Sequence, residues 1–313
     1  MMSATQQALA TEAPGRVFHR AGALWQSRMR VLHGGMPLSD YAWAIAFAIP
    51  YVCLFLAFVI YPICYGFFLG GNPALYKELA TDPHYVTAMI NTIIYVGIGV
   101  NVKMAIAFLL SGFFMRKSKW TKVLLVLYIL PWAMPALPAF MSIHWMLNGQ
   151  WGFLNSLLYE WFHIDGPYWL NDRTLGMTSN IAAYIWKNMP FWTVIFIAGR
   201  MAIPMELYEA AAIDGANKMH IFRHITVPLM AQLYLVSTLL STIFSLGDFN
   251  AVFFVSGGGP AMSTEVLATI GIRYAFDIGE PRLGVAAVLT SLPLLIPLVV
   301  LLMRMLRKQE VQL

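Results

Sequence analysis

Six separate stretches of this chain, residues 42–69, 88–112, 121–147, 179–200, 228–249 and 283–306, are each apolar over the roughly 20 residues that a helix needs to cross a bilayer. A water-soluble fold has no place for six such segments, because it must coat its core with polar surface. The composition agrees. Of the 313 residues 59% are apolar and 11% are charged, against about 45–50% and about 25% in soluble domains. Within lipid every backbone N–H and C=O must be satisfied by the protein itself, so such stretches are read as helices. The expected fold class is therefore all-α integral membrane, with six transmembrane helices in the lipid bilayer.

Six crossings leave both termini on one side, and charge chooses the side. If the amino terminus is cytoplasmic, Lys and Arg number four in the tail, four in the loop near 113–122, three at Arg200, Lys218 and Arg223 around the loop 201–227, and three at the carboxyl end. The opposite face holds only Lys77, Arg173, Arg273 and Arg282, while Lys103 and Lys187 fall inside spans. This bias predicts cytoplasmic termini. The net charge of +5 thus reflects orientation, and no nucleic-acid partner is expected. Residues 1–41 are read as a basic cytoplasmic segment, 42–306 as the six-span domain and 307–313 as a cytoplasmic tail.

The first 33 residues lack the apolar core of a signal peptide, so no cleaved leader is expected. Val17, Phe18, Leu24 and Trp25 recur at helical spacing between arginines, which suits a short helix on an anionic membrane face. The alternative is a charged tail without fixed structure. Cys53 and Cys64 stand eleven residues apart, roughly 16 Å along a helix, too far to bond. They form no metal pattern. Prolines inside several spans, among them Pro50, Pro62, Pro131, Pro135, Pro190 and Pro297, predict broken helices. Carbonyls freed at membrane depth are tolerated only where protein or a wet cavity satisfies them, which favours a solute path over a passive anchor.

The cytoplasmic loop between the fourth and fifth spans, 205–228, reads as a short helix, a glycine stop, a second short run and a restart at Pro228. Glu206 stands near a helix start, where the dipole favours negative charge. Gly215 suits the left-handed residue that ends a helix, and Pro228 suits the first turn of the next span. A helix of two turns does not persist alone in water. This one carries Leu207, Tyr208, Ile213 and Phe222 around Ala210, Ala211 and Ala212, an apolar patch of the kind that marks protein contacts. The alternative is a surface helix folded back on its own bundle.

The same loop resembles the EAA loop of bacterial ABC-importer permeases. Glu209, Ala210, Ala211, Asp214, Gly215, Ala216, Phe222, Ile225 and Pro228 occupy its pattern. The resemblance implies that the loop is a coupling helix seated in a cleft of a separate ATPase, with Glu206, Tyr208 and Glu209 among the contacts. It further implies a second homologous permease, an ATPase subunit dimer and an external solute-binding protein. No G-x-x-x-x-G-K-[ST] occurs in the chain, so ATP and Mg are expected on the partner ATPase and no cofactor here.

Further matches resemble the carbohydrate-uptake branch, in particular the first membrane subunit of maltose and glycerol-phosphate importers. They are Tyr61-Pro62, Asp82-Pro83, Asn91-Thr92, Pro131-Trp132, Trp186-Lys187, Gly257-Gly258-Gly259-Pro260, Thr264-Glu265 and Tyr274-Ala275-Phe276. The resemblance implies uptake of a sugar, polyol or sugar-phosphate by alternating access in the inner membrane. Sugars are held by aromatic faces and a few oriented polar groups, which selects Trp132, Asn188, Trp192, Asp248 and Asn250 as candidate solute contacts. Trp145, Trp151, Trp161 and Trp169 are assigned instead to the interfacial belt.

Lys103 must face the bundle interior, a cavity or a partner, because an unpaired charge at membrane depth is costly. A polar contact with the second permease is expected. Arg200, at the cytoplasmic end of the fourth span, is expected to snorkel to headgroups. His220 and His224 lie four apart but lack a third ligand, so no metal site is expected. No residues are spaced for catalysis. The rival reading is a secondary transporter driven by an ion gradient, whose internal repeats are not found in this sequence.

Overall fold

A computed structural model describes residues 40–310 of the chain, and among them it contains helices and turns without a strand. The N-terminal amphipathic run and the last tail residues lie outside the described residues. The chain divides into two units, Met1–Cys64 and Tyr65–Leu313. In the first, Phe47, Tyr51 and Phe58 stand exposed on helix, and both cysteines are free. Helix α1 is Ala42–Gly70. It does not break at Pro50 or Pro62. Ahead of Pro62 the Tyr61 N–H reaches back to Leu56 O, a π-type turn that absorbs the donor proline lacks.

In the second unit α2 is Pro73–Thr81, α3 Pro83–Phe114, α4 Lys119–Ala133, α5 Ala136–Met146, α6 Phe153–Phe162 and α7 Arg173–Met201. The short α8, Met205–Ile213, precedes α9, Lys218–Leu246. Then follow α10 Asn250–Val255, α11 Leu267–Ile272, α12 Pro281–Leu289 and α13 Ser291–Glu310. Helices α1, α3, α7, α9 and the run Pro281–Met305 are each long and apolar enough to cross a bilayer. The α4–α5 pair, bent by 97°, supplies a sixth crossing when counted as one.

Three helices start earlier than their apolar stretches, and each has a side-chain cap at the new start. Asp82 Oδ1 accepts from His84 N at 2.8 Å, Asp172 Oδ1 from Leu175 N at 2.8 Å and Asn217 Oδ1 from His220 N at 2.8 Å. A satisfied first turn lets a helix extend into polar sequence. The expected restart at Pro228 is accordingly corrected. Helix α9 begins at Lys218 and passes Pro228 through another π-type turn, in which Val227 N–H bonds Phe222 O.

Pro190 lies within an unbroken α7. The one sharp break among the crossings falls at Met134–Pro135. The core runs between α3 and α7, where Tyr95, Met104, Tyr184, Trp192 and Phe196 are buried. Gly99 allows this approach, since a Cβ there would stand 3.2 Å from the Tyr184 ring.

Several of the motif residues scattered along the chain converge on the turn after α10. Gly257 and Gly258 take positive φ of 60° and 76°, as only glycine does freely. Asn91 Nδ2 donates to Ser263 O at 2.8 Å and Glu265 O at 2.9 Å, and Thr92 Oγ1 accepts from Leu267 N at 2.8 Å. Arg273 pairs with Glu265 at 2.7 Å and donates to Gly257 O at 3.1 Å, while Tyr274 Oη donates to Asp82. Burial of Glu265 pushes its carboxyl above the usual 4.5, outweighing the Thr269 hydroxyl and the Arg273 guanidinium. Asn91, Thr92, Glu265 and the glycine run are thus ties of one turn.

Candidate functional site

The break between α4 and α5 leaves backbone carbonyls without helical partners, and a lysine meets them. Lys187 Nζ donates to Pro131 O at 2.9 Å, Trp132 O at 3.2 Å and Met134 O at 2.7 Å. Its three donors are thereby used. The side chain comes from the middle of α7, so the bend of one crossing is fastened to the wall of another. Trp132, on the last turn of α4, stacks on Phe191 of α7 with centroids 5.5 Å apart.

A second polar seam joins α3, α7 and α9. Lys103, 1% exposed, donates to Tyr184 Oη. Tyr184 Oη donates to Ser245 Oγ, and Ser245 Oγ donates to Ser241 O at 2.6 Å. The Lys103 ammonium also lies over the Tyr184 ring, 4.2 Å from its centroid, a favourable contact for a desolvated cation. The partner expected from a second chain is therefore supplied by Tyr184 of the same chain.

Between these seams lies a cavity of about 380 Å³. It brings together all five residues chosen from sequence: Trp132 from α4, Asn188 and Trp192 from α7, Asp248 and Asn250 from the turn between α9 and α10. Trp192 is buried and Trp132 half open. Asp248 Oδ1 accepts from Asn250 N and Asn250 Nδ2, both at 3.0 Å, which fixes the carboxylate against its own turn. Lys103, Tyr184 and Lys187 also line the space; a cavity was one of the alternatives for Lys103, while Tyr184 and Lys187 were not placed there from sequence. The proline breaks and the two intramembrane lysines were both visible; their meeting required the packing of α4 on α7. The arrangement offers aromatic faces, an amide, a carboxylate and ammonium groups to a small polar solute.

At the end of α7 the chain turns into α8, whose residues are all at least partly exposed. Ile213 is 87% exposed and Met205 66%. The helix ends as the sequence predicts: Gly215 takes φ +77° and Ala216 N–H bonds Ala211 O at 2.9 Å, a Schellman-type stop. Glu206, Glu209, Ala210 and Asp214 stand outward. Tyr208 and Phe222 turn inward instead. Tyr208 Oη lies 3.3 Å from Thr226 Oγ1, and Phe222 packs on Phe108 of α3 with centroids 5.9 Å apart.

Arg200 corrects its expectation. Rather than reaching for headgroups, its Nε donates to Ser111 Oγ at 2.6 Å and its Nη2 to Phe108 O at 3.0 Å, and the guanidinium lies over the Phe108 and Phe222 rings. It ties the end of α7 to α3 beside the loop. The His220 and His224 rings stack at 4.0 Å, and among the described residues no group of three metal-ligating side chains occurs.

Residues 103–310 match the family described as binding-protein-dependent transport system inner membrane component. The chain is 27% identical over 253 residues to the trehalose/maltose transport system permease protein MalF of Thermococcus litoralis, covering 76% of this chain and 84% of that one. It is 34% identical over 209 residues to a probable ABC transporter permease of Brucella suis biovar 1, covering 66% and 70%. Its fold is similar to that of a chain in the crystal structure of a bacterial alginate ABC transporter in complex with alginate pentasaccharide-bound periplasmic protein. That likeness has a TM-score of 0.78 at 20% identity over 86% of this chain and 96% of that chain.

Proposed function

This chain belongs to the family of binding-protein-dependent transport system inner membrane components, and from that premise we propose that it forms the solute path for a carbohydrate in an ATP-driven importer. It is a multi-pass protein of the inner membrane and a transport subunit. The solute is a sugar, polyol or sugar-phosphate handed over by an external binding protein. A second, homologous permease completes the path, and a dimer of ATPase subunits binds ATP and Mg. Both termini face the cytoplasm, in keeping with the distribution of Lys and Arg.

The observation that carries this reading is the cavity, in which Trp132, Trp192, Asn188, Asp248 and Asn250 meet at a break in a crossing. Aromatic faces with oriented polar groups suit sugar rings. The relative named for trehalose and maltose and the fold neighbour named for alginate support a carbohydrate. In the mechanism, ATP binding closes the ATPase dimer and moves α8 with its exposed Glu206, Glu209, Ala210 and Asp214. Gly215 holds the turn that presents this surface. The movement reaches the bundle where Phe222 and Arg200 pack on α3, and the bundle shifts between two access states whose populations the partners bias.

Reconstitution of this chain with its second permease, ATPase and binding protein in liposomes tests the proposal. ATP-dependent uptake of a labelled carbohydrate, abolished when Trp132 and Trp192 are both replaced by Ala, is the expected result. Uptake by this chain alone on an ion gradient would overturn it.

A further inference from the structure

Two lysines and one aspartate line the cavity, and their formal charges do not cancel. Lys187 spends its donors on the three carbonyls of the α4–α5 break, so its position is fixed while its positive charge remains. Lys103 gives one hydrogen to Tyr184 Oη. An ammonium has three, which leaves two for whatever enters. Asp248 is committed to Asn250, and the ion pairs found among the described residues all belong to Arg273. Neither lysine therefore has a carboxylate within 4.0 Å, and by formal charge the cavity holds one positive group more than it holds negative ones.

Charged side chains at membrane depth are expensive and mark a solute or ion path. Backbone carbonyls satisfy the hydrogen bonds of Lys187, and the rings of Tyr184 and Trp192 shield Lys103, at 4.2 and 5.9 Å from their centroids. Neither contact supplies a balancing negative charge. A neutral sugar would leave the excess as it is. An anionic group would neutralise it and take up the idle Lys103 donors as charge-assisted hydrogen bonds, which are shorter and stronger than neutral ones.

Resting on the reading of this cavity as the solute path, we propose that the transported carbohydrate carries an acidic group, a carboxylate, sulfonate or phosphate, which the Lys103 ammonium receives. Lys187 adds the second positive charge, and the open face of Trp132 takes the sugar ring. Lys103 is thus a specificity-determining residue and Asp248 a brake on anion binding.

The test uses the complete importer in proteoliposomes with ATP inside, offered trehalose, a uronate oligosaccharide, a sulfonated sugar and glycerol phosphate. The expected result is uptake of one or more acidic solutes and exclusion of trehalose. Lys103→Met should raise KM for the acidic solute about tenfold with kcat within about twofold, and Lys103→Arg should restore it to within about threefold. Asp248→Asn should lower KM about threefold, a direction that damage to the fold does not produce. Uptake of trehalose with KM unchanged by Lys103→Met would overturn the acidic-group proposal and leave the carbohydrate reading standing. A loss of kcat that Lys103→Arg does not rescue would also overturn it. Uptake of none of the four would sink the carbohydrate reading and this proposal together.

Discussion

The coupling helix and the cavity break opposite rules of folding. Helix α8 holds Met205 and Ile213 out in water, while the cavity wall holds Lys103 and Lys187 in an apolar bundle. Exposed apolar side chains and buried charges are each unfavourable to a chain considered alone. In α8 the missing contact is a protein, because the helix is too short to keep its shape without one. In the cavity the proposed missing contact is a polar solute, since the lysine hydrogen bonds are partly met from within and no carboxylate pairs with either lysine. A departure from the solvent's own rule thus identifies what each region is built to meet.

The strongest way to break this contrast is to reverse a charge on α8. Glu209→Lys should reduce ATP-dependent uptake by about a hundredfold or more, as expected for a reversed charge in an interface. Membrane insertion, followed by fractionation, should persist, since Glu209 is exposed. Normal uptake would remove the coupling role. Removing the cavity's internal support should cost next most. Lys187→Met strips three carbonyls of a charged donor and should destabilise the detergent-solubilised protein by about 2–3 kcal/mol, read as a lower Tm.

A smaller effect comes from Gly215→Val. A side chain at φ +77° costs about 1–2 kcal/mol, with nothing nearby to clash. Uptake should fall about tenfold if that cost is borne by the docked state, with Tm little changed. The smallest expected effect lies at the turn after α10. Glu265 has its carboxyl raised by burial, so the folded state holds its proton to higher pH than the unfolded chain. Its contribution to stability is complete below the ordinary 4.5 and is lost as pH rises through the raised value. Glu265→Gln should therefore flatten the decline of Tm above pH 4.5, and an unchanged slope would show that the Arg273 pair dominates.

Much of this was legible along the chain. The number of crossings followed from six apolar stretches, because a bilayer requires length and apolarity and both are local. The end of α8 was legible at Gly215, because a left-handed residue needs no distant partner. The helix starts were missed at Asp82, Asp172 and Asn217, although their caps are local too; apolarity was read there where capping should have been. Pro50, Pro62 and Pro190 were expected to break helices and do not; before Pro62 a π-type turn absorbs the missing donor.

What the sequence by itself determined is the solvent of each segment, the sites of sharp turning and the family-like docking surface, all functions of neighbouring residues. What only the tertiary structure decided is which distant residues share a space. Lys187 meets the carbonyls of residues more than fifty positions earlier, Lys103 reaches Tyr184 across two helices, and Arg200 binds α3 instead of lipid. Such pairings arise from the packing of one helix face on another, and a polar side chain in a membrane takes whichever partner that packing brings within reach.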